Sequence, residues 1–223
     1  MCAHYQGLSR PQSYTQSFGV EAPADVTRTD IWPGYESAFI RRPLEADSGD
    51  EAVPEREALR GLFGLVPHWS RDLTLAKRTY NARSETVADK PSFRDAWRRG
   101  QHCVIPVEAF FEPDWRSGRA VATRISHADG QPLGLAGLWS AWTSPQGEVV
   151  HSFTMLTINA DAHPLMKHFH KPGDEKRMVV VLPPSQYQDW LQAGPQDSMD
   201  FLRPFPAEAL RAQAPPSPSL FDY

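Results

Sequence analysis

Short apolar runs separated by turn residues dominate the chain. Stretches 37–41, 59–66, 103–111, 120–126, 133–141, 149–157 and 178–182 mix β-branched, aromatic and aliphatic residues, and several stop at turn residues such as Asp129-Gly130 or Pro145-Gln146-Gly147. Each reads as a strand, and their succession without intervening helices predicts mostly antiparallel pairing. Helical patterning is confined to 92–99 after Pro91, to 186–191 where Ser185 can cap the first turn, and to a short piece at 163–169. Residues 45–57 are acidic without an apolar period and read as a surface loop. Strands that outnumber helices, without regular β-α-β alternation, predict an α+β fold with a curled, mostly antiparallel, partly barrel-like sheet and a few flanking helices. Residues 1–212 read as one domain and 213–223 as a Pro/Ser-rich tail.

Composition narrows the class. The 223 residues carry a formal net charge of −4, which excludes a protein that coats nucleic acid by bulk attraction. Residues 71–100 are nonetheless net basic, so any nucleic-acid contact is expected to be local; a solvated charged face explains the same charges equally well. No apolar run reaches the roughly 20 residues that span a bilayer, and the start lacks a secretory pattern, so a cytoplasmic protein without membrane contact is expected. Two cysteines, Cys2 and Cys103, are too few for a disulfide scaffold or a cysteine-rich zinc site, and both are expected reduced. Cys103, inside an apolar run, reads as a core residue. His163, His168 and His170 lack a nearby cysteine, and His163/His168 is not an i, i+4 pair; neither a metal nor another cofactor is expected.

Candidate chemistry begins at Cys2. A small residue at position two permits removal of the initiator methionine, which would free an α-amine of pKa about 7.7–8.0 beside a thiol of about 8.5. The amine can form a Schiff base with an aldehyde, and the thiol can close onto that imine as a five-membered thiazolidine. Read alone, Cys2 is an unremarkable second residue. Asn81-Ala82-Arg83-Ser84-Glu85-Thr86 reads as a ligand-facing turn, with Arg83 fitted to phosphate and Thr86 offering a hydroxyl, or as the first turn of a helix. Glu112, behind two phenylalanines, is a candidate general acid/base whose pKa burial would raise, with Glu108 as a rival. A histidine of the 163–170 cluster suits a proton shuttle.

Taken in order, Met1-Cys2, Phe63-Gly64-Leu65-Val66-Pro67-His68-Trp69, the Asn81–Thr86 segment, Phe110-Phe111-Glu112 and His170 to Arg177-Met178 resemble the SRAP family of SOS response-associated peptidases, also called abasic-site processing proteins. The resemblance implies a single α+β domain that captures abasic sites in single-stranded DNA as a thiazolidine on mature Cys2, with self-reversal or lyase activity through the same imine. It implies that Asn81 orients the amine, that Glu112 moves protons, and that His170 binds or protonates the opened sugar. Arg83, Thr86, Arg177, Trp69 and His4 are the implied DNA contacts, and a monomer is expected. Three departures stand out. His4 replaces an arginine, Pro113 replaces a tryptophan, and residues 171–176 are inserted between His170 and Arg177, which makes His168 a rival. The alternative reading is a cysteine peptidase, including self-removal of Met1, built on Cys2, Asn81 and His170.

Overall fold

Residues 2–214 are described by a computed structural model. In chain order its strands are β1 (His4–Gly7), β2 (Asp30–Ile31), β3 (Glu36–Arg41), β4 (Glu57–Phe63), β5 (Asn81–Arg83), β6 (His102–Asp114), β7 (Val121–His127), β8 (Leu133–Thr143), β9 (Val149–Asn159), β10 (Arg177–Val179), β11 (Val181–Leu182) and β12 (Leu210–Gln213). Three α-helices, α1 (Pro11–Phe18), α2 (Arg94–Arg98) and α3 (Tyr187–Gln192), flank them. The pairings β3–β4, β4–β9, β9–β8, β8–β6 and β6–β3 form a closed ring, so five strands make a barrel and the others extend it. Closure leaves those five without a free edge. Pairing is antiparallel except where β9 takes β4 and β5 in parallel, which agrees with the expected α+β class.

The core follows from alternation. Phe39, Phe63 and Phe153, on three neighbouring barrel strands, are fully buried, with ring centroids 5.6 Å (Phe39–Phe153) and 5.7 Å (Phe63–Phe153) apart. Each aromatic ring buried in this way contributes about 1.5–3 kcal/mol by removing apolar surface from water.

Several expected elements are corrected. The run 59–66 ends as a strand at Phe63, because Gly64 adopts φ +121° and turns the chain beneath Ala76. A Cβ at Gly64 would lie 1.9 Å from the Ala76 carbonyl oxygen, so only glycine fits. Gly64→Ala is expected to cost about 3 kcal/mol, the upper part of the usual range for single substitutions, and to lower Tm by at least roughly 6 °C. A melting curve superimposable on wild type would contradict this reading of the turn. The run 178–182 is two strands rather than one. β10 pairs with β9 and β11 with β8, while Val180 between them donates to Leu156 O and accepts from Ala136 N–H. The 163–169 piece contracts to a 3-10 turn at Met166–His168. Helix α1 had no counterpart in the apolar pattern because it buries only Tyr14 and Phe18, one turn apart, with Pro11 opening it and Gly19 closing it in the left-handed conformation. Strand β12 ends at Gln213, and nearly all of the Pro/Ser-rich tail lies outside the described residues.

Candidate functional site

Strand pairing brings the chain start to the end of β6. β1 runs antiparallel to β6 with His4 opposite Phe111 and Tyr5 opposite Phe110, so the residues before His4 reach the stretch around Glu112. Cys2 is 1% exposed, and its Sγ donates to the His4 carbonyl oxygen at 3.4 Å. Asn81 reaches it from β5, donating from Nδ2 to the Cys2 carbonyl oxygen at 2.6 Å. Asn81-Ala82-Arg83 is therefore neither a turn nor the start of a helix. It is a short strand whose backbone pairs with β9 from Met155 to Thr157, and that pairing fixes where the amide points. Asn81 Oδ1 is buried without a hydrogen-bond partner among the described residues. An orphaned acceptor of this kind costs about 1–3 kcal/mol unless a donor reaches it.

Glu112 sits one residue beyond Phe111 on β6, opposite Thr123 of β7, and is 1% exposed. Burial raises its carboxyl pKa from 4.5 to about 7. Glu108 does not share this environment. The β1–β6 register slips between Gln6↔Ala109 and Gly7↔Val107, which bulges residue 108 out of the ladder, and Glu108 accepts from the Ser9 backbone N–H at 2.9 Å and its hydroxyl at 2.6 Å.

His170 completes the cluster. Its Nε2 lies 3.4 Å from Glu112 Oε2 and donates to the Arg177 carbonyl oxygen at 3.0 Å. A carbonyl only accepts, so Nε2 carries the proton and Nδ1 of the neutral ring is an acceptor. Burial lowers the His170 pKa, which keeps the ring neutral. The residue adopts φ +65°, rare for a side chain with a Cβ, and its backbone N–H is held by Pro113 O at 2.8 Å. His168 is exposed. His163 has a separate role: Nε2 donates to Phe205 O at 2.8 Å, while Nδ1 accepts from the Leu165 and Met166 N–H groups. Among the described residues no three His, Cys, Asp or Glu side chains converge as metal ligands. Burial pushes the Cys2 thiol pKa well up and the charge of nearby Glu112 adds to the effect, so the sulfur is held as a thiol. Cys103 is fully buried in the core.

The remaining expected site residues separate by exposure. Arg83 is exposed and bonds Glu175 at 2.8 Å. Arg177 is 2% exposed, its guanidinium taken by Glu85 (2.8 and 3.0 Å), Glu175 (2.8 Å) and Thr157. A phosphate could reach it only by displacing a carboxylate. Thr86 is partly buried where its carbonyl accepts from Asp89 and Lys90, and Trp69 is 49% exposed in the turn after β4.

The profile described as SOS response associated peptidase (SRAP) matches residues 1–215. The chain belongs to the SRAP family. Abasic site processing protein YoqW of Bacillus subtilis is 29% identical over 156 residues, 67% of this SRAP chain and 65% of YoqW. Abasic site processing protein HMCES of Xenopus tropicalis is 26% identical over 181 residues, 71% of this chain and 50% of its own length. The chain thus spans less than two thirds of these curated relatives. A crystal structure of a Bordetella bronchiseptica protein, 48% identical, matches with TM-score 0.86 over 96% of this chain and 99% of that one. One from Bacteroides thetaiotaomicron, at 20% identity and TM-score 0.77, shares the fold over 96% and 91%.

The departures of this SRAP chain acquire a structural context. His4 is stacked between Trp32 (4.2 Å, 7°) and Phe111 (4.1 Å, 8°) and tied by Nε2 to Asp30 at 2.8 Å. The inserted 171–176 segment turns at Gly173, and Lys176 Nζ caps the carbonyls of His170 (3.2 Å) and Lys171 (2.8 Å). Two neighbours had no sequence signal. Tyr80, whose pKa is raised by burial, stands beside Asn81 with its ring edge-on to Phe63. Trp32 is distant in sequence from every motif. No helix among the described residues is long and apolar enough to cross a membrane.

Proposed function

We propose that this SRAP protein processes DNA abasic sites by covalent capture in single-stranded DNA, acting as a monomer through Cys2 after loss of Met1. The observation that carries the reading is that buried Cys2 has Asn81 on its carbonyl and Glu112 near enough for its charge to act on the thiol, Glu112 being a carboxyl that titrates near neutrality beside the neutral imidazole of His170. A free Cys2 amine adds to the aldehyde carbon of the opened deoxyribose, and loss of water gives the imine. The thiol then adds to the carbon of the protonated imine; a C–S bond forms, the nitrogen keeps its proton and the thiol proton passes to the Glu112 carboxylate, closing the thiazolidine without any oxidant. Protonated Glu112 supplies the proton that ring opening and water loss require, and its carboxylate recovers one from the thiol. Asn81 holds the Cys2 carbonyl, and its orphaned Oδ1 is the acceptor that an amine N–H would satisfy. The same imine permits reversal, or strand cleavage by β-elimination.

Among the curated relatives, those named abasic site processing proteins support this substrate. The peptidase reading receives less support. A cysteine peptidase pairs its sulfur with an imidazole that lowers the thiol pKa, whereas here Cys2 Sγ bonds a backbone carbonyl, its pKa is raised, and His170 Nε2 faces Glu112 and Arg177 O. Incubation with an oligonucleotide bearing an abasic site is expected to give a heat-stable shifted band on denaturing electrophoresis; noncovalent binding alone would overturn the proposal.

Arg83 and Arg177 are assigned different tasks. Arg83→Ala is expected to weaken binding to all single-stranded sequences and to lower the salt slope by about 0.7, the release of one phosphate's counterion on a single strand. Arg177→Ala is expected instead to destabilise the fold by about 1–3 kcal/mol through lost hydrogen bonds to Glu85, Glu175 and Thr157. Equal salt slopes for wild type and Arg83→Ala would place the DNA path elsewhere.

A further inference from the structure

The stack of Trp32, His4 and Phe111 is more ordered than packing of the core requires. The Trp32 and Phe111 rings lie 7° and 8° from the His4 plane, at 4.2 and 4.1 Å spacing, and the imidazole is fixed further by Asp30. Trp32 follows β2, which pairs with β1 through Tyr5 and Gln6, so the backbone holds the column at both the His4 and the Trp32 positions. The column is not closed over. Trp32 remains 45% exposed, and Phe111 at the other end is built into β6. A large, rigid indole left open at the end of a ring column is a surface on which another flat ring can stack without loss of side-chain freedom.

Its surroundings carry the charge that a nucleic-acid strand requires. Exposed Tyr35 lies next to Trp32 in the same loop with the Arg28 guanidinium over its ring at 4.4 Å, and the stem of exposed Lys77 passes beside Gly34. Of the acids nearby, Asp30 is engaged by His4 and Glu36 by Arg60 at 3.8 Å, while Asp25 shares a pocket with Arg28 and Tyr35. Aromatic faces interleaved with cations are the combination that single strands use, bases on the rings and phosphates on the charges. The platform also adjoins the nucleophile, since His4 accepts the Cys2 thiol hydrogen bond at its carbonyl and stands only two residues from it.

We infer that Trp32, backed by His4 and Phe111, is a stacking platform for a nucleobase adjacent to the abasic nucleotide, with Arg28 and Lys77 on the neighbouring phosphates. The inference rests on the capture reading for the position of the lesion. It assigns His4 a new part: where an arginine would contact phosphate directly, the imidazole is a flat spacer that fixes the indole. Pro113 leaves no aromatic ring at its own position on β6, and Trp32 supplies one from a different element. Because stacking reads only a π-face, the platform accepts any base, and purines best for their larger overlap.

The test uses single-stranded oligonucleotides with a tetrahydrofuran analogue, which lacks the aldehyde, flanked by 2-aminopurine. Wild-type protein is expected to quench 2-aminopurine on binding. Trp32→Ala should lose the quench and bind about 5–150-fold more weakly, the usual worth of one base–aromatic stack, and Trp32→Phe should retain most of both. Crosslinking itself is read on wild-type protein with the same oligonucleotide carrying an aldehyde-bearing abasic site. Melting curves of the two variants verify that they are folded, and Trp32→Phe decides the matter if the alanine variant is not. Unchanged quench and affinity in Trp32→Ala, or equal loss in the alanine and phenylalanine variants, would overturn the platform. Wild-type quench without any crosslink would support the platform and overturn the capture reading alone.

Discussion

Glu112→Gln is expected to slow capture of an abasic aldehyde by about 10²–10⁴-fold while making the protein more stable above neutrality. Both effects come from one cause. The carboxyl is 1% exposed on β6, and burial raises its pKa to about 7, so near neutral pH it is divided between acid and base. Glutamine keeps the shape and transfers no proton. For wild type the rate should rise with pH as the Cys2 amine, near about 7.7–8.0, loses its proton, and fall as Glu112 is deprotonated above about 7. The glutamine variant should keep the rising limb and lose the falling one.

The stability effect has the opposite sense. With a folded pKa of about 7 and an ordinary value of 4.5, the folded protein holds a proton between these values that the unfolded chain has released. Stability is therefore full below 4.5 and declines as pH rises through about 7, by at most on the order of 3 kcal/mol. Glu112→Gln should match wild type in Tm at pH 4 and exceed it at pH 8. Glu108→Gln, on the bulge with Ser9, should leave the rate nearly unchanged. A Glu108 effect larger than that of Glu112 would mean that the other face of β6 carries the chemistry.

Cys2→Ala should abolish the heat-stable adduct altogether. The variant keeps an α-amine, so it can still form an imine, but nothing closes the ring and the imine hydrolyses. Borohydride reduction should then trap a crosslink in the variant that is absent without the reductant. Because the side chain lost is small and lies at the chain start, Asn81 still finds the carbonyl of residue 2, and the fold should survive. An undiminished heat-stable band in Cys2→Ala would exclude a thiazolidine on this residue.

The strands were legible because their apolar runs are long and end at turn residues, and Glu112 stood out as an acid within one of them. Its burial opposite Thr123 of β7 rather than exposure to solvent depends on continuing β6 through Pro113 to Asp114, which apolar alternation does not predict. Asn81 was recognisable as a functional residue but not as part of a strand, since three residues paired in parallel with β9 leave too short a pattern. Arg83 and Arg177 look alike in sequence. Only the fold shows that one is exposed and the other enclosed by Glu85 and Glu175, which come from two separate segments. The stacking of Trp32 on His4 depends on β1–β2 pairing across 28 residues, and no local signal announces such a pairing.

The central claim is that one residue supplies both nucleophiles, and acylation of its nitrogen tests this most directly. A retained Met1, or a protease-resistant fusion before it, turns the Cys2 nitrogen into a peptide amide whose lone pair is delocalised into the carbonyl. The thiol alone then yields only a reversible hemithioacetal. Intact mass spectrometry first establishes which preparation begins at Cys2 and which is blocked. Both are then given the same single-stranded oligonucleotide with an aldehyde-bearing abasic site, and adduct formation is followed by denaturing electrophoresis. The processed protein should form a heat-stable crosslink and the blocked protein should bind without crosslinking. A blocked protein that crosslinks as fast as the processed one would show that a different nucleophile is at work and that Cys2 does not carry the chemistry.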